Sequence, residues 1–239
     1  MILAILQARM SSTRLPGKVL RPLAGAPMIL RQIERLRRCR RIDRLVVATS
    51  DDRTDDVLSD VLAGAGVLVF RGSLDDVLDR YRGALEAFGP ADHVVRLTGD
   101  CPLADWEVID AVIDAHVRTE VDYTANTLGE RTFPKGLDVE VVRSSVLNEA
   151  ASKAEDPHER EHVLPFVYNR AERYRTGGLL NRLPEGDLRW TVDLPEDYAF
   201  VAEIYDHLYR AKPDFCTSDI RQFLTGRPDL ANLGGHRRF

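Results

Sequence analysis

Short apolar runs, rich in β-branched residues, alternate with amphipathic stretches through the first half of this chain. MILAIL (residues 1–6), RLVVATS (44–50), VLVF (67–70) and HVVRLT (93–98) read as strands. MILRQIERLRRC (28–39), DDRTDDVLSDVLAGAG (51–66), LDDVLDRYRGALEAFG (74–89) and ADWEVIDAVIDAHV (104–117) read as the helices between them, the second stopped by Gly64 and Gly66. Strands that are apolar throughout, joined by helices of this length, predict a parallel sheet covered on both faces. After about Tyr123 the rhythm changes. GLDVEVV (136–142) alternates like a half-exposed strand, SSVLNEAASKA (144–154) and EREHVLPFVYNRA (159–171) predict helices, and RWTVD (189–193) predicts another strand. LPEDYAFVAEIYDHLYRA (194–211) predicts a closing helix, with Pro195 in its first turn and acids near its positive end. With no linker or repeat, the 239 residues form one domain, whose second half is irregular.

In a doubly wound sheet, ligands bind at the carboxyl ends of the strands. The four exits read QARMSSTRLPGK, TSDD, RGSLDD and TGDCP, and each carries small, hydroxylated or charged residues rather than plain turn sequence. Loops are polar and caps favour Ser and Asp, so any one exit has a bland explanation; four in agreement point to a single crevice. The first exit concentrates Arg9, Arg14 and Lys18 with few acids nearby in sequence, inside a protein whose net charge is -5. That net charge argues against nucleic acid or an anionic membrane as partner, so the local cations call for a small anion such as a polyphosphate. Ser11, Ser12 and the loop amides would add neutral donors. No P-loop glycine precedes Gly17-Lys18, and no dinucleotide fingerprint follows the strand. A polyphosphate commonly arrives with Mg²⁺, which takes carboxylate oxygens. Asp100, just past HVVRLT, and Asp193, at the end of RWTVD, form a candidate pair; each alone could equally be a cap. Three scattered cysteines, Cys39, Cys101 and Cys216, without a C-x-x-C pair fit a reducing cytoplasm, and no segment is long and apolar enough to predict a membrane span.

QARMSSTRLPGKVL, FRGSLDDVLDRY, VVRLTGDCPL, FPKGLDVEVV, EREHV, RWTVDLPEDY and TSDIRQFLTGRPDL, in this order over nearly the whole chain, resemble the spore-coat polysaccharide biosynthesis protein F family. These are cytidylyltransferase-like proteins, related to the enzymes that make CMP-activated acidic sugars. The resemblance implies an α/β, Rossmann-like, mostly parallel sheet of the kind shared with glycosyltransferase-A folds. It also implies CTP and a sugar acceptor as small-molecule partners, Mg²⁺ as cofactor, and a homodimer. By the same resemblance, Arg9, Ser12, Arg14, Lys18 and Gly99 would bind the nucleotide, with Arg71, Gly72 and Ser73 beside its base or ribose. Asp100 and Asp193 would hold the metal, and with Arg14 and Lys18 would form the catalytic set. Residues 124–185 would face the acceptor and the dimer partner, making Lys135, Asp138, Glu140 and His162 acceptor-side candidates. Arg189 would either hold an acceptor carboxylate or be a plain strand-surface charge.

Two rivals stand beside this reading. His158-Glu159-Arg160-Glu161-His162 satisfies both H-E-x-x-H and its inverse, but Pro165 interrupts any zinc-binding helix and the downstream extension is missing. A glycosyltransferase using a sugar nucleotide would share the fold and commonly shows D-x-D, which is absent; Asp138-Val139-Glu140 is the nearest approach. Trp106 and Trp190 read as core or pocket wall, RLRRCRR as a solvated helix face, Cys101 as a small buried residue, and Asp51, Asp52, Asp55 and Asp56 as a helix N-terminus.

Overall fold

The computed structural model describes all 239 residues. The alternation of the first half becomes β1 (Ile2–Gln7), a small hairpin of β2 (Pro22–Leu23) and β3 (Ala26–Pro27), α1 (Met28–Leu36), β4 (Arg44–Ser50), α2 (Asp56–Gly64), β5 (Leu68–Gly72), α3 (Val77–Phe88), β6 (His93–Thr98) and α4 (Trp106–Thr119). The second half adds β7 (Tyr123–Ala125), β8 (Glu140–Arg143), α5 (Ser144–Lys153), α6 (Pro157–His162), α7 (Pro165–Tyr168), β9 (Thr176–Gly178), α8 (Pro195–Leu208) and α9 (Thr217–Thr225). The main sheet runs β5-β4-β1-β6-β8-β7-β9. Its first four strands are parallel neighbours, so the exits of β1, β4, β5 and β6 lie along one edge, as the sequence predicts. No helix is long and apolar enough to cross a membrane.

Burial explains the two-sided hydrophobicity of the strands. Along β1, Ala4 and Leu6 enter a core shared with α1, α4, α8 and α9, while Leu3 and Ile5 enter a second core shared with α3, α5 and α7. All four side chains are fully buried. At roughly 25 cal/mol per Å² of apolar surface, such two-sided burial is what holds a parallel sheet together.

The second half departs from several sequence expectations. GLDVEVV forms a strand only from Glu140, and that strand is central and antiparallel to both β6 and β7 rather than half-exposed. Before it, the Asn126 side chain takes the place of a neighbouring strand. It donates to the Leu137 carbonyl at 2.7 Å and accepts from the Val139 amide at 2.8 Å. RWTVD forms no ladder: Arg189 makes a single bridge to Lys135, and the donors of Trp190 and Val192 go to the separate carbonyls of Lys135 and Asp100. EREHVLPFVYNRA divides into α6 and α7 at Val163, whose φ is 74°. Pro165 has no amide hydrogen to continue α6 and becomes the first residue of α7. α8 is not the closing helix, because α9 follows it. Of the aspartates expected at a helix start, Asp52 caps a short 3₁₀ turn, but Asp55 is fully buried and accepts from Thr49, Ser50 and, at 2.6 Å, from the Met10 amide. It therefore ties the β4 exit to the first loop.

Candidate active site

The loop after β1 is held by a few fixed contacts. Met10 receives the amides of Ser12 and Gly17, Leu15 and Val19 plug it into the core, and Gly17 takes φ 67°, a left-handed conformation that glycine adopts without strain. Lys18 then begins a 3₁₀ turn that aims its side chain inward. The Lys18 ammonium lies 3.0 Å from Asp193 Oδ1 and 3.5 Å from Asp100 Oδ2, and donates to the Val192 carbonyl at 2.7 Å. The two aspartates, 93 positions apart in sequence (193 less 100), thus meet across one ammonium group.

Each carboxylate is oriented from behind. Thr98 donates to Asp100 Oδ1 at 2.6 Å, and the backbone carbonyl of Asp100 accepts from Val192 and Thr191, tying the β6 exit to the Asp193 segment. Arg14 reaches Asp193 Oδ1 at 3.2 Å and Arg189 reaches Oδ2 at 3.0 Å. Burial works to raise the Asp193 pKa, but Lys18, Arg14 and Arg189 outweigh it and hold the carboxyl below its ordinary range. Behind it, Asp197 is fully buried and accepts from Arg189, Arg238 and the amides of Asp193 and Leu194. Burial opposes ionisation of Asp197, and these donors overcome it to hold the group far below the usual carboxylate range.

The first loop, the β6 exit and Asp193 line a cavity of about 360 Å³ that includes Arg9, Ser12, Arg14, Lys18, Gly99 and Asp100. A second cavity of about 600 Å³ adjoins it, sharing Arg96, Thr98 and His162. Its walls bring together Asp138, Glu140 and His162 with Tyr123, Arg131 and His158. The charges there are largely matched. Arg131 grips Asp138 through two bonds of 2.6 and 3.0 Å, and Arg96 pairs with Glu140, which also accepts from Tyr123 at 2.7 Å.

Other sequence candidates lie elsewhere. Lys135 is exposed outside both cavities, and its backbone holds Trp190. Arg189 is only 13% exposed and spends its guanidinium on Asp193 and Asp197, so it is neither a strand nor a surface charge. Arg71 is anchored to the Ser50 and Asp52 carbonyls and to Asp56 at 2.7 Å; with Gly72 and Ser73 it stands beside the first cavity rather than in its wall. Trp190 is fully buried, and Cys101 lies buried against Thr98 and Asp100, with burial pushing its thiol well up. The H-E-x-x-H segment does not act as a unit: Glu159 turns away to Arg170 at 2.6 Å and Arg160 to Asp76. Sequence reasoning missed Gln7, Arg80 and Arg96, which line the first cavity. All three stand inside the motifs that carry the family resemblance, and Arg96, a charge within the otherwise apolar run HVVRLT, was the plainest signal.

The sequence profile described as cytidylyltransferase matches residues 3–215. The chain is 38% identical over 237 residues to the spore coat polysaccharide biosynthesis protein SpsF of Bacillus subtilis, covering 96% of both. It is 36% identical over 162 residues to a 3-deoxy-manno-octulosonate cytidylyltransferase of Anaeromyxobacter dehalogenans, 66% of each chain. Among solved structures, a cytidylyltransferase from Leptospira borgpetersenii superposes with a TM-score of 0.89 at 31% identity, covering 96% of this chain and 95% of that one. The converging carboxylates, the cationic loop and these likenesses agree: the chain belongs to the cytidylyltransferase family.

Proposed function

We propose that this enzyme transfers CMP from CTP to a hydroxyl of an acidic sugar, releasing pyrophosphate, in the synthesis of a surface polysaccharide or glycan. The observation that carries the reading is the meeting of Asp100 and Asp193 on Lys18 beside the cationic loop. The names of the related SpsF and octulosonate enzymes support the acidic acceptor and the polysaccharide role. In this reading, Arg9, Arg14, Ser12 and the loop amides seat the triphosphate in the first cavity. Arg14 and Lys18 place positive charge where the pyrophosphate leaves, and Asp138, Glu140 and His162 face the acceptor in the second cavity. The shared wall at Arg96, Thr98 and His162 lets an acceptor hydroxyl reach the α-phosphorus without a covalent intermediate.

The residues fit a divalent cation, Mg²⁺ in our reading. Two carboxylates already flank a single positive charge, and no third His, Cys, Asp or Glu joins them, which leaves coordination for phosphate oxygens and water. When bound, the ion would supply charge for the triphosphate oxygens and acidity for the attacking hydroxyl. We further infer one catalytic unit over residues 1–239, with 124–185 on the acceptor and homodimer side, working in the cytoplasm.

The test is pyrophosphate release from CTP, UTP, GTP and ATP across acidic and neutral sugars. Release with CTP and an acidic sugar is expected; indifference to the nucleotide overturns the reading. Asp100→Asn should lose at least about a hundredfold in turnover with an unchanged melting temperature, the scale seen when a preorganised charge contact is removed. Full activity of that variant, with Mg²⁺ as the only metal, would refute the assignment.

A further inference from the structure

Two groups in the first cavity are not used by the phosphate chemistry above. Gln7 ends β1, and its side-chain Oε1 is buried without a hydrogen-bond donor. Arg80, on α3, is 2% exposed and lines the same cavity. Its Nη1 donates to the Ser73 carbonyl at 2.6 Å, its Nε has no acceptor, and no carboxylate pairs with it. A buried guanidinium held only by neutral carbonyls is costly, as is a buried amide oxygen left unpaired. Both costs end if a ligand supplies the missing partners.

The position of α3 says which end of a nucleotide that ligand presents. α3 belongs to the core on one side of the sheet, whereas Val19, next to Lys18, and Val192, next to Asp193, belong to the core on the other. The triphosphate, drawn to Lys18 and the first loop, leaves its base to reach across the edge of the sheet towards α3. Arg80 also abuts Gly72, where an added Cβ would stand 3.3 Å from Arg80 Cγ, so it connects the cavity to the β5 exit.

We propose that Gln7 and Arg80 read the pairing edge of the cytosine ring. Cytosine presents one exocyclic amino donor followed by two acceptors, N3 and O2. The Gln7 oxygen accepts from the amino group, and the Arg80 guanidinium donates to the acceptors. Uracil replaces the amino group with an oxygen and puts a proton on N3, so it confronts Arg80 with a donor. Gln7 can turn its amide to suit uracil but Arg80 cannot, which makes Arg80 the stronger discriminator.

The inference rests on the CTP reading, and the experiment separates the two. Titration calorimetry would measure CMP, UMP and pyrophosphate binding to wild type, Arg80→Met, Gln7→Met and Gln7→Glu. Wild type should prefer CMP over UMP by at least tenfold. Arg80→Met should bring the two within about threefold while pyrophosphate affinity stays unchanged, a loss of the size one specific base contact provides. Gln7→Met should weaken CMP, and Gln7→Glu, an acceptor only, should keep the preference. If Arg80→Met fails to fold, the contrast between the two Gln7 variants decides. A CMP preference undiminished in Arg80→Met, CMP affinity unchanged in Gln7→Met, or loss confined to pyrophosphate, overturns the inference while leaving CTP-dependent turnover intact. Failure of wild type to use CTP at all would instead overturn the functional reading.

Discussion

Replacing Asp197 with Asn is the sharpest test of how the site is held. Asp197 accepts from Arg189 at 2.9 and 2.8 Å, pairs with Arg238 at 2.9 Å, and takes the amides of Asp193 and Leu194 at 3.0 Å each. Asn keeps an oxygen for one or two of these donors but removes the charge. Arg189 would still have Asp193, whereas Arg238, fully buried, has no other carboxylate. Removing one partner of a buried pair costs about 3–5 kcal/mol. A chain of 239 residues, at about 2.1 cal/mol/K of unfolding entropy per residue, has roughly 0.5 kcal/mol/K at its midpoint. Asp197→Asn should therefore lower Tm by about 6–10 °C in calorimetry at neutral pH. Adding Arg238→Met removes the orphaned charge and should recover part of that loss. A shift below about 2 °C, or a double variant less stable than the single, would refute the argument that this pair anchors Asp193.

The ammonium between the Asp100 and Asp193 carboxylates should also exclude free cations. Lys18→Met should bind Mn²⁺ without nucleotide at least about tenfold more tightly than wild type in electron paramagnetic resonance titrations, and Asp193→Asn added to it should abolish the gain; equal affinities would contradict the geometry. His116 is fully buried between His93 and Thr124, and burial, followed by the charges of His93 and Arg143, pushes it down to about 4. Between pH 6.5 and about 4 the unfolded chain binds the extra proton, so stability is complete above 6.5 and falls as pH drops, by about 2 kcal/mol from pH 7 to 5. Urea unfolding of His116→Gln should show that dependence reduced by about this amount; an identical profile would count against it.

The first half of the fold was legible because each apolar run ends in its own turn chemistry, and the four polar exits follow from strand adjacency. β7, only Tyr-Thr-Ala, is too short to show a period, and the extended segment at Trp190 depends on bonds to three distant carbonyls that no local pattern records. Asp197 reads in sequence as a helix-start acid and does accept nearby amides, but its arginine partner at position 238 is a matter of tertiary contact. Arg80 reads as one more charge on an amphipathic helix; only its burial without a counter-charge sets it apart.

The contact between Arg238 and Asp197 has a consequence for how the protein is made. A nascent chain emerging from the ribosome displays Arg9, Arg14, Lys18 and Asp100 long before residue 193 is synthesised, and the strut at Arg238 arrives later still. Half-translated copies would hold a cationic loop with nothing to complete it. Competence therefore switches on late, and a chain cut before residue 238 would be a mostly folded enzyme with Asp197 short of one of its two arginines.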